Sequence, residues 1–292
     1  MTTEVGGGSR VASHFGRFGG LVPAALYFGL FFFVPFGLVI CFSFWQDVNY
    51  TVVHHWTLEN YHYFLGQPAY RSTMWATLWM SVAATGITLL IAFPFSYWLS
   101  RYVPSGLQKP LLVLVIVPFW TSYLLRMYSW LNILGTKGLI NTFLEKLGII
   151  DQPLTLLYSR WSVVVVLVYL YFPFAALTLY SSIDRFDWDQ LLAAMDLGAS
   201  PLKAIRKILV PQIRPGIITA IIFVFIPVLG EYLAPQIIGG TSTPMLGNVI
   251  DNFQKEALYA RASAIALLIA AFVIIVLILF RKSLTAKEAY GA

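Results

Sequence analysis

From Ala262 to Phe280 the chain carries no charged residue, and Ser263 is its only polar side chain. Such a run leaves few options. About 20 apolar residues in a helix span the hydrocarbon core of a bilayer, whereas a surface helix of a soluble protein needs a polar face. Five more segments qualify or nearly do: Leu21–Phe44, Trp75–Leu99, Leu111–Leu131, Trp161–Leu179 and Gly216–Leu233. The third and fifth carry polar residues near one end. Composition agrees, with 59% of the 292 residues hydrophobic and 11% charged, where a soluble domain has about a quarter charged. No polar stretch is long enough to hold a soluble domain. The expected fold class is therefore all-α: a polytopic membrane protein with six transmembrane helices within residues 18–280, between tails at 1–17 and 281–292.

Lysine and arginine set the orientation, because loops left in the cytoplasm are enriched in them. With the N-terminus inside, the inner segments hold Arg10, Arg17, Arg101, Lys109, Arg185, Lys203, Arg206, Lys207, Arg214, Arg281, Lys282 and Lys287, twelve of nineteen. The outer loops hold five: Arg71, Lys137, Lys146, Arg160 and Lys255. Both termini are thus expected in the cytoplasm, and the net charge of +6 reads as topology rather than nucleic-acid binding. The first span is too long for a signal-peptide core and lacks a small-residue cleavage site, so it reads as an uncleaved anchor. Met1–Ser9, with three consecutive glycines, is expected to be a disordered tail. In an outer loop, Leu139, Ile140, Phe143, Leu144 and Leu147 oppose Asn141, Glu145 and Lys146, which predicts a short surface helix.

Several chemistries are missing. There is no G-x-x-x-x-G-K-[ST], so the chain holds no P-loop of its own. The single cysteine, Cys41, excludes an intrachain disulfide. All four histidines, His14, His54, His55 and His62, lie outside the spans, which argues against an intramembrane histidine–serine or zinc site. His54, His55, His62 and Glu59 are expected to be solvated rather than to hold a metal. No nucleophile has a base nearby in sequence. The chain is not expected to be an enzyme, and no catalytic residue is assigned.

Two charges do fall within the apolar segments. Glu231 lies in PVLGEYLAP and Arg126 in FWTSYLLRMYSW. A charge at mid-bilayer costs about 3 kcal/mol on insertion scales and points to function by default. Trp120, Thr121, Tyr123, Tyr128, Trp130 and Tyr232 surround them in sequence, and aromatic faces hold cations. These eight residues are the candidate substrate pathway. Two plainer readings stay open: an interfacial belt of tyrosine and tryptophan, and a simple Glu231–Arg126 ion pair. Pro118, Pro173, Pro227 and Pro235 are expected to interrupt helices, which a membrane tolerates where the freed backbone faces protein or water.

The most punctuated stretch lies between spans four and five. In Asp187–Pro211, Asp187 and Gln190 have the spacing of a capping box, and Trp188, Leu191, Leu192 and Met195 recur at helical spacing. Gly198 suits a left-handed helix end, Ser200 a second cap and Pro201 a first turn. Two short helices with a sharp joint are predicted.

The run LLAAMDLGASPLKAIRKILVPQIRPGI resembles the cytoplasmic loop motif of the permeases of ATP-binding-cassette importers. Ala193, Ala194, Gly198, Ile208 and Pro211 fit it; Leu192 stands at the family's glutamate and Val210 at the leucine before the proline. PFWTSYLLRMYSWLNIL, GLINTFLEKLGIIDQPLTLLY and GEYLAPQIIGGTSTPMLGNVI are similar to the spermidine/putrescine branch. The resemblance implies a type I permease fold in the bacterial inner membrane, surrounded by lipid. It implies as partners a second permease of different sequence, two ATPase subunits carrying ATP and magnesium, and a solute-binding protein, with no cofactor on this chain. It also implies that Asp189, Leu191, Leu192, Ala193, Ala194, Met195, Asp196, Gly198 and Pro211 couple the chain to an ATPase. Glu231 with the aromatics favours an organic cation as solute, and Arg126 a carboxylate or phosphonate. An ion-coupled secondary transporter and a subunit without a pathway are the alternatives.

Overall fold

A computed structural model describes residues 22–285, with side chains to Arg281. The expected N-terminal tail, with Arg10, His14 and Arg17, and Lys287 near the other end lie outside the described residues. The helices in chain order are α1 (Val22–Ser43), α2 (Glu59–Gly66), α3 (Pro68–Tyr102), α4 (Ser105–Ile116), α5 (Tyr123–Leu134), α6 (Leu139–Lys146), α7 (Arg160–Ile183), α8 (Trp188–Asp196), α9 (Pro201–Gln212), α10 (Arg214–Leu229), α11 (Leu246–Lys255) and α12 (Tyr259–Thr285). Among the described residues four helices, α1, α3, α7 and α12, are long and apolar enough to cross a bilayer. Two bent pairs, Ser105–Trp120 with Tyr123–Lys146 at 92° and α9 with α10 at 74°, bring the number to six if each is one span.

The third expected span is therefore not one helix. A 3-10 turn, Val117–Trp120, follows α4, and the chain breaks at Thr121 and Ser122 before α5. The fifth stops at Leu229, and Gly230–Tyr232 separate it from a short helical stretch that contains a π turn at Pro235–Gly239. Of the four prolines expected to interrupt helices, Pro118 and Pro227 lie beside these breaks and Pro235 opens the π turn. Pro173 instead sits inside the unbroken α7. The described residues are mostly helical, as the all-α expectation has it, with one addition. Gln46–Val48 and Thr51–Val53 form an antiparallel hairpin, β1–β2, with Asp47 opposite Val52 and with Asn49 and Tyr50 at positive φ in its turn.

The chain forms two compact units. One contains α1, the hairpin and the start of α12. Here both oxygens of Asp47 accept backbone amides at the head of α12, from Ala260 and Arg261, at 3.0 Å each. The Asn60 amide donates to the carbonyls of Ser43 and Trp45, and the Arg261 guanidinium lies 4.4 Å from the Tyr63 ring centre. The other unit is built on α3, α7 and α10, which pack on one another around Met80, Ala84, Val163, Leu167, Ala176 and Val224. Lipid is as apolar as leucine, so helices in a membrane associate through close packing and hydrogen bonds rather than through hydrophobic exclusion. The contacts fit that rule. Ser96 Oγ donates to the Ala176 carbonyl across 2.9 Å, and Gly216 faces Ser182 so closely that a Cβ there would fall 1.9 Å from its hydroxyl. The hydroxyls of Thr73, Thr77, Thr85 and Thr88 on α3 each donate to the carbonyl one turn back, whereas the buried Ser81 hydroxyl between them has no hydrogen-bond partner.

Candidate functional site

Glu231 sits at the break after α10, 9% exposed. The chain needs an acceptor there, because the first amides of a helix have no intrahelical partner. Glu231 Oε1 supplies it, accepting from the amides of Tyr232, Leu233 and Ala234 at 3.1, 3.0 and 3.4 Å. Its other oxygen accepts the Tyr171 hydroxyl at 3.1 Å. The first turn of α11 holds this hook from behind. Asn248 Nδ2 donates to the Tyr232 carbonyl at 2.7 Å, and Gly247 lies so near that a Cβ would come 2.6 Å from the Glu231 carbonyl oxygen. The amide of Leu246 in turn donates to Thr77 Oγ1 on α3 at 2.9 Å.

Arg126 does not close an ion pair with that carboxylate. Its Nε and Nη1 are buried without a hydrogen-bond partner, and the guanidinium carbon lies 4.5 Å from the Phe119 ring centre and 5.5 Å from that of Tyr123. The Tyr123 hydroxyl, buried and also without a hydrogen bond, lies in the fields of both Glu231 and Arg126. Phe174 adds an edge-on contact to Phe119 at 5.6 Å and packs near Tyr171 at 6.2 Å. The result is a ring-lined cluster with one acid and one base held apart. Rings of this kind offer a cation about 0.5–2 kcal/mol per contact.

The other sequence candidates divide. Trp130 packs edge-on against Tyr169 at 5.3 Å, and Thr121 turns its hydroxyl onto the Pro118 carbonyl at 2.6 Å. Trp120, Tyr128 and Tyr232 are exposed on this chain. Tyr171, Phe119 and Phe174 were absent from the candidate set. Tyr171 and Phe174 lie on α7, within an apolar run that gives no local sign of an acid 60 residues away.

The Asp187–Pro211 stretch forms two helices, α8 and α9, with Gly198 at φ +87° between them. The amide of Ala199 donates to Ala194 O and that of Gly198 to Met195 O, at 3.0 and 2.9 Å, the paired bonds of a glycine-ended helix. Asp187 caps α8 through the Asp189 amide at 3.1 Å, but Gln190 donates to the Asp187 carboxylate instead of completing a reciprocal box. Ser200 stands at the head of α9 without a side-chain cap; its carbonyl accepts the Ala204 amide. Leu191 turns inward, 3% exposed, onto Ile183, Phe186, Ala204, Leu209 and Ile213, so it is not free to meet a partner. Ala194 also packs on this cluster. Asp189, Leu192, Ala193, Met195, Asp196 and Pro211 are exposed. So are Leu197 and Leu202, 90% and 75%, which helical spacing within α8 did not single out. Trp188 anchors the elbow to α3, edge-on to Tyr97 at 5.6 Å and 5.1 Å from the Arg101 guanidinium. Beside it, an open groove of about 620 Å³ runs between the end of α7 and the start of α10, lined by Thr178, Ser181, Arg185, Gln212 and Thr219. Among the described residues no group of three histidine, cysteine or carboxylate side chains is placed to hold a metal.

Comparison with known proteins places the chain in a family. The chain is 38% identical over 238 residues to the spermidine/putrescine transport system permease protein PotB of Haemophilus influenzae, covering 80% of this chain and 82% of that one. It is 29% identical over 285 residues to the inner membrane ABC transporter permease protein YdcU of Escherichia coli, covering 92% and 90%. Its fold is similar to a chain in the crystal structure of a bacterial alginate ABC transporter in complex with an alginate pentasaccharide-bound periplasmic protein, with a TM-score of 0.72 at 14% identity, over 95% of this chain and 99% of that one. The profile described as binding-protein-dependent transport system inner membrane component matches residues 92–285, and the chain belongs to that family.

Proposed function

We propose that this chain lines one half of the pathway of an importer for a small organic cation of the polyamine class. The chain is a permease subunit of an ABC importer, a multi-pass protein of the bacterial inner membrane, and ATP hydrolysis belongs to a separate ATPase subunit. The observation that carries the choice of solute is the Glu231 carboxylate, set among Tyr171 and Tyr123 and not neutralised by Arg126. An ammonium group suits such a site, since ring faces and a carboxylate both attract it. The similarity to PotB, a spermidine/putrescine permease by name, supports the same reading.

A solute-binding protein delivers the cation from outside. A second permease of different sequence completes the pathway, and two ATPase subunits, with their ATP and magnesium, grip the α8–α9 elbows from the cytoplasm. The excess of lysine and arginine in the segments assigned to the inside, the elbow among them, supports this orientation with both termini cytoplasmic. ATP shifts the permease between states only through differential affinity of the ATPase for each. The elbow is where that difference is transmitted, because its exposed leucines stand on a joint braced to α3 and α7. The test is uptake of labelled putrescine and spermidine by proteoliposomes holding the complete importer. Wild-type uptake that Glu231→Gln lowers at least tenfold is expected; a variant unchanged in both KM and maximal rate removes the cation site.

A further inference from the structure

The groove beside the elbow is polar in a way that the Glu231 cluster does not explain, and one face of α7 joins the two. Tyr171, Phe174, Thr178 and Ser181 recur at intervals of three or four residues and so share a side of the helix. Towards the middle of α7 that side carries the Tyr171 hydroxyl on Glu231 and Phe174 edge-on to Phe119. Towards its end Thr178, Ser181 and, just past the helix, Arg185 line the groove, with Gln212 and Thr219 on the other wall. Thr178 lies five residues before the end of α7 and Thr219 five after the start of α10. The groove therefore reaches about 8 Å along each helix.

The chemistry of the lining selects what can pass. Thr178 Oγ1 donates to the Phe174 carbonyl at 2.7 Å and Thr219 Oγ1 to the Pro215 carbonyl at 2.9 Å, each one turn back. With those hydrogens committed, the oxygens offer lone pairs, which suit water and the N–H groups of an ammonium. No acid is among the described residues that line the groove, and Arg185 is the one charge there. A cation is thus held by a carboxylate and rings at Glu231, but only by hydroxyls in the groove. Its volume of about 620 Å³ lies within the range of small-molecule sites. We propose that this groove is the inner vestibule of the solute pathway, a weak exit site for the cation, and that Arg185 at its mouth opposes return from the cytoplasm. Passage needs one site strong enough to load and another weak enough to leave, and the α7 face supplies them in that order. The inference rests on the cation reading and the orientation proposed above.

The test uses the complete importer in inside-out membrane vesicles, with Cys41→Ser removing the chain's own cysteine. Thr178→Cys, Ser181→Cys and Thr219→Cys are exposed from the cytoplasmic side to a membrane-impermeant trimethylammonium thiosulfonate, and labelling of this chain is followed by its mass shift. Ile275→Cys, exposed within the apolar run of α12, is the control. Without nucleotide the three are expected to react at least tenfold faster than the control. A non-hydrolysable ATP analogue with the solute-binding protein is expected to slow them at least fivefold, because an inner vestibule closes when the outer side opens. Slow labelling throughout, as a covering permease or lipid gives, overturns the inference. Fast labelling that nucleotide does not change marks a fixed crevice and overturns it too. Arg185 is read separately, as uptake into ATP-loaded proteoliposomes preloaded with spermidine divided by uptake into those without it. Arg185→Gln and Arg185→Glu are expected to lower that ratio at least threefold, glutamate more than glutamine, whereas a purely structural loss lowers both uptakes alike. An unchanged ratio overturns the role of Arg185. Labelling reports water rather than solute: if Glu231→Gln leaves uptake unchanged while labelling still follows nucleotide, the cation site falls and the vestibule stands, and the reverse result removes the vestibule alone.

Discussion

The Tyr171 hydroxyl donates to the Glu231 carboxylate across 3.1 Å, tying the middle of α7 to the break that ends α10. The acid therefore has two roles. One oxygen closes the exposed amides of a broken helix, and the other belongs to a tyrosine-lined cluster in which a cation can be held.

These roles separate by substitution. Glu231→Gln keeps a carbonyl oxygen for the three amides and removes only the charge. It is expected to leave the purified complex as stable as wild type in a detergent melt while lowering polyamine uptake at least tenfold. Glu231→Ala also removes the cap, typically about 1 kcal/mol, and strands a buried Tyr171 hydroxyl at a further cost of about 1–3 kcal/mol. A lower melting temperature for alanine but not for glutamine checks the assignment.

Gly198 carries the joint of the elbow at φ +87°, and no atom lies within 4 Å of where a Cβ would stand. Its requirement is conformational rather than steric. Gly198→Ala is expected to cost about 1–2 kcal/mol and to reduce solute-stimulated ATP hydrolysis partially. Proline cannot take this φ and lacks the amide that reaches Met195 O. Gly198→Pro is expected to insert normally and to lose both uptake and solute-stimulated hydrolysis, read by immunoblot, uptake and phosphate release.

The approach of α10 to α7 is limited by a single glycine. A methyl at Gly216 would fall 1.9 Å from Ser182 Oγ and 2.5 Å from its Cβ, so turning the hydroxyl away does not relieve it. Overpacking of this kind costs about 1–3 kcal/mol. Gly216→Ala is expected to destabilise the permease, Ser182→Gly to change it little, and the double variant to recover most of the loss. Equal melting temperatures for Gly216→Ala and wild type would show that the helices are not in this contact.

Leucines of the elbow should differ by the side they face. Leu197 and Leu202 are exposed and Leu191 is buried. Leu197→Ser and Leu202→Ser are expected to leave the melting temperature unchanged but to lower ATPase affinity about tenfold each, or about 1.4 kcal/mol. Leu191→Ser is expected to lower the melting temperature by opening the cluster beneath the elbow. Quantitative pull-down of the ATPase, set beside the melts, distinguishes the two classes.

Much of this architecture was legible without coordinates. Helices α1, α3, α7 and α12 follow from length and apolarity alone, because lipid offers the backbone no hydrogen bonds and a continuous apolar run must satisfy its own. The elbow was legible for a local reason too: Gly198 and Pro201 restrict φ and ψ over a few residues. The cap on α8 needed only Asp187 and its own helix start. Ser200 shows the limit of that reasoning, since its hydroxyl had the right position and makes no cap.

Long-range partners decided the rest. The same residue type, proline, stands beside a break at Pro118 and Pro227 and within a continuous helix at Pro173, so residue type alone did not decide the outcome. Likewise Leu191 and Leu192 are adjacent in sequence, yet one is sealed and one is open. By itself the sequence determined a membrane-embedded helical chain with an acid and an arginine in its apolar segments. Only the tertiary structure decided that the acid meets Tyr171 and a helix start while the arginine meets rings, since partners 60 residues apart are chosen by packing and not by any local pattern.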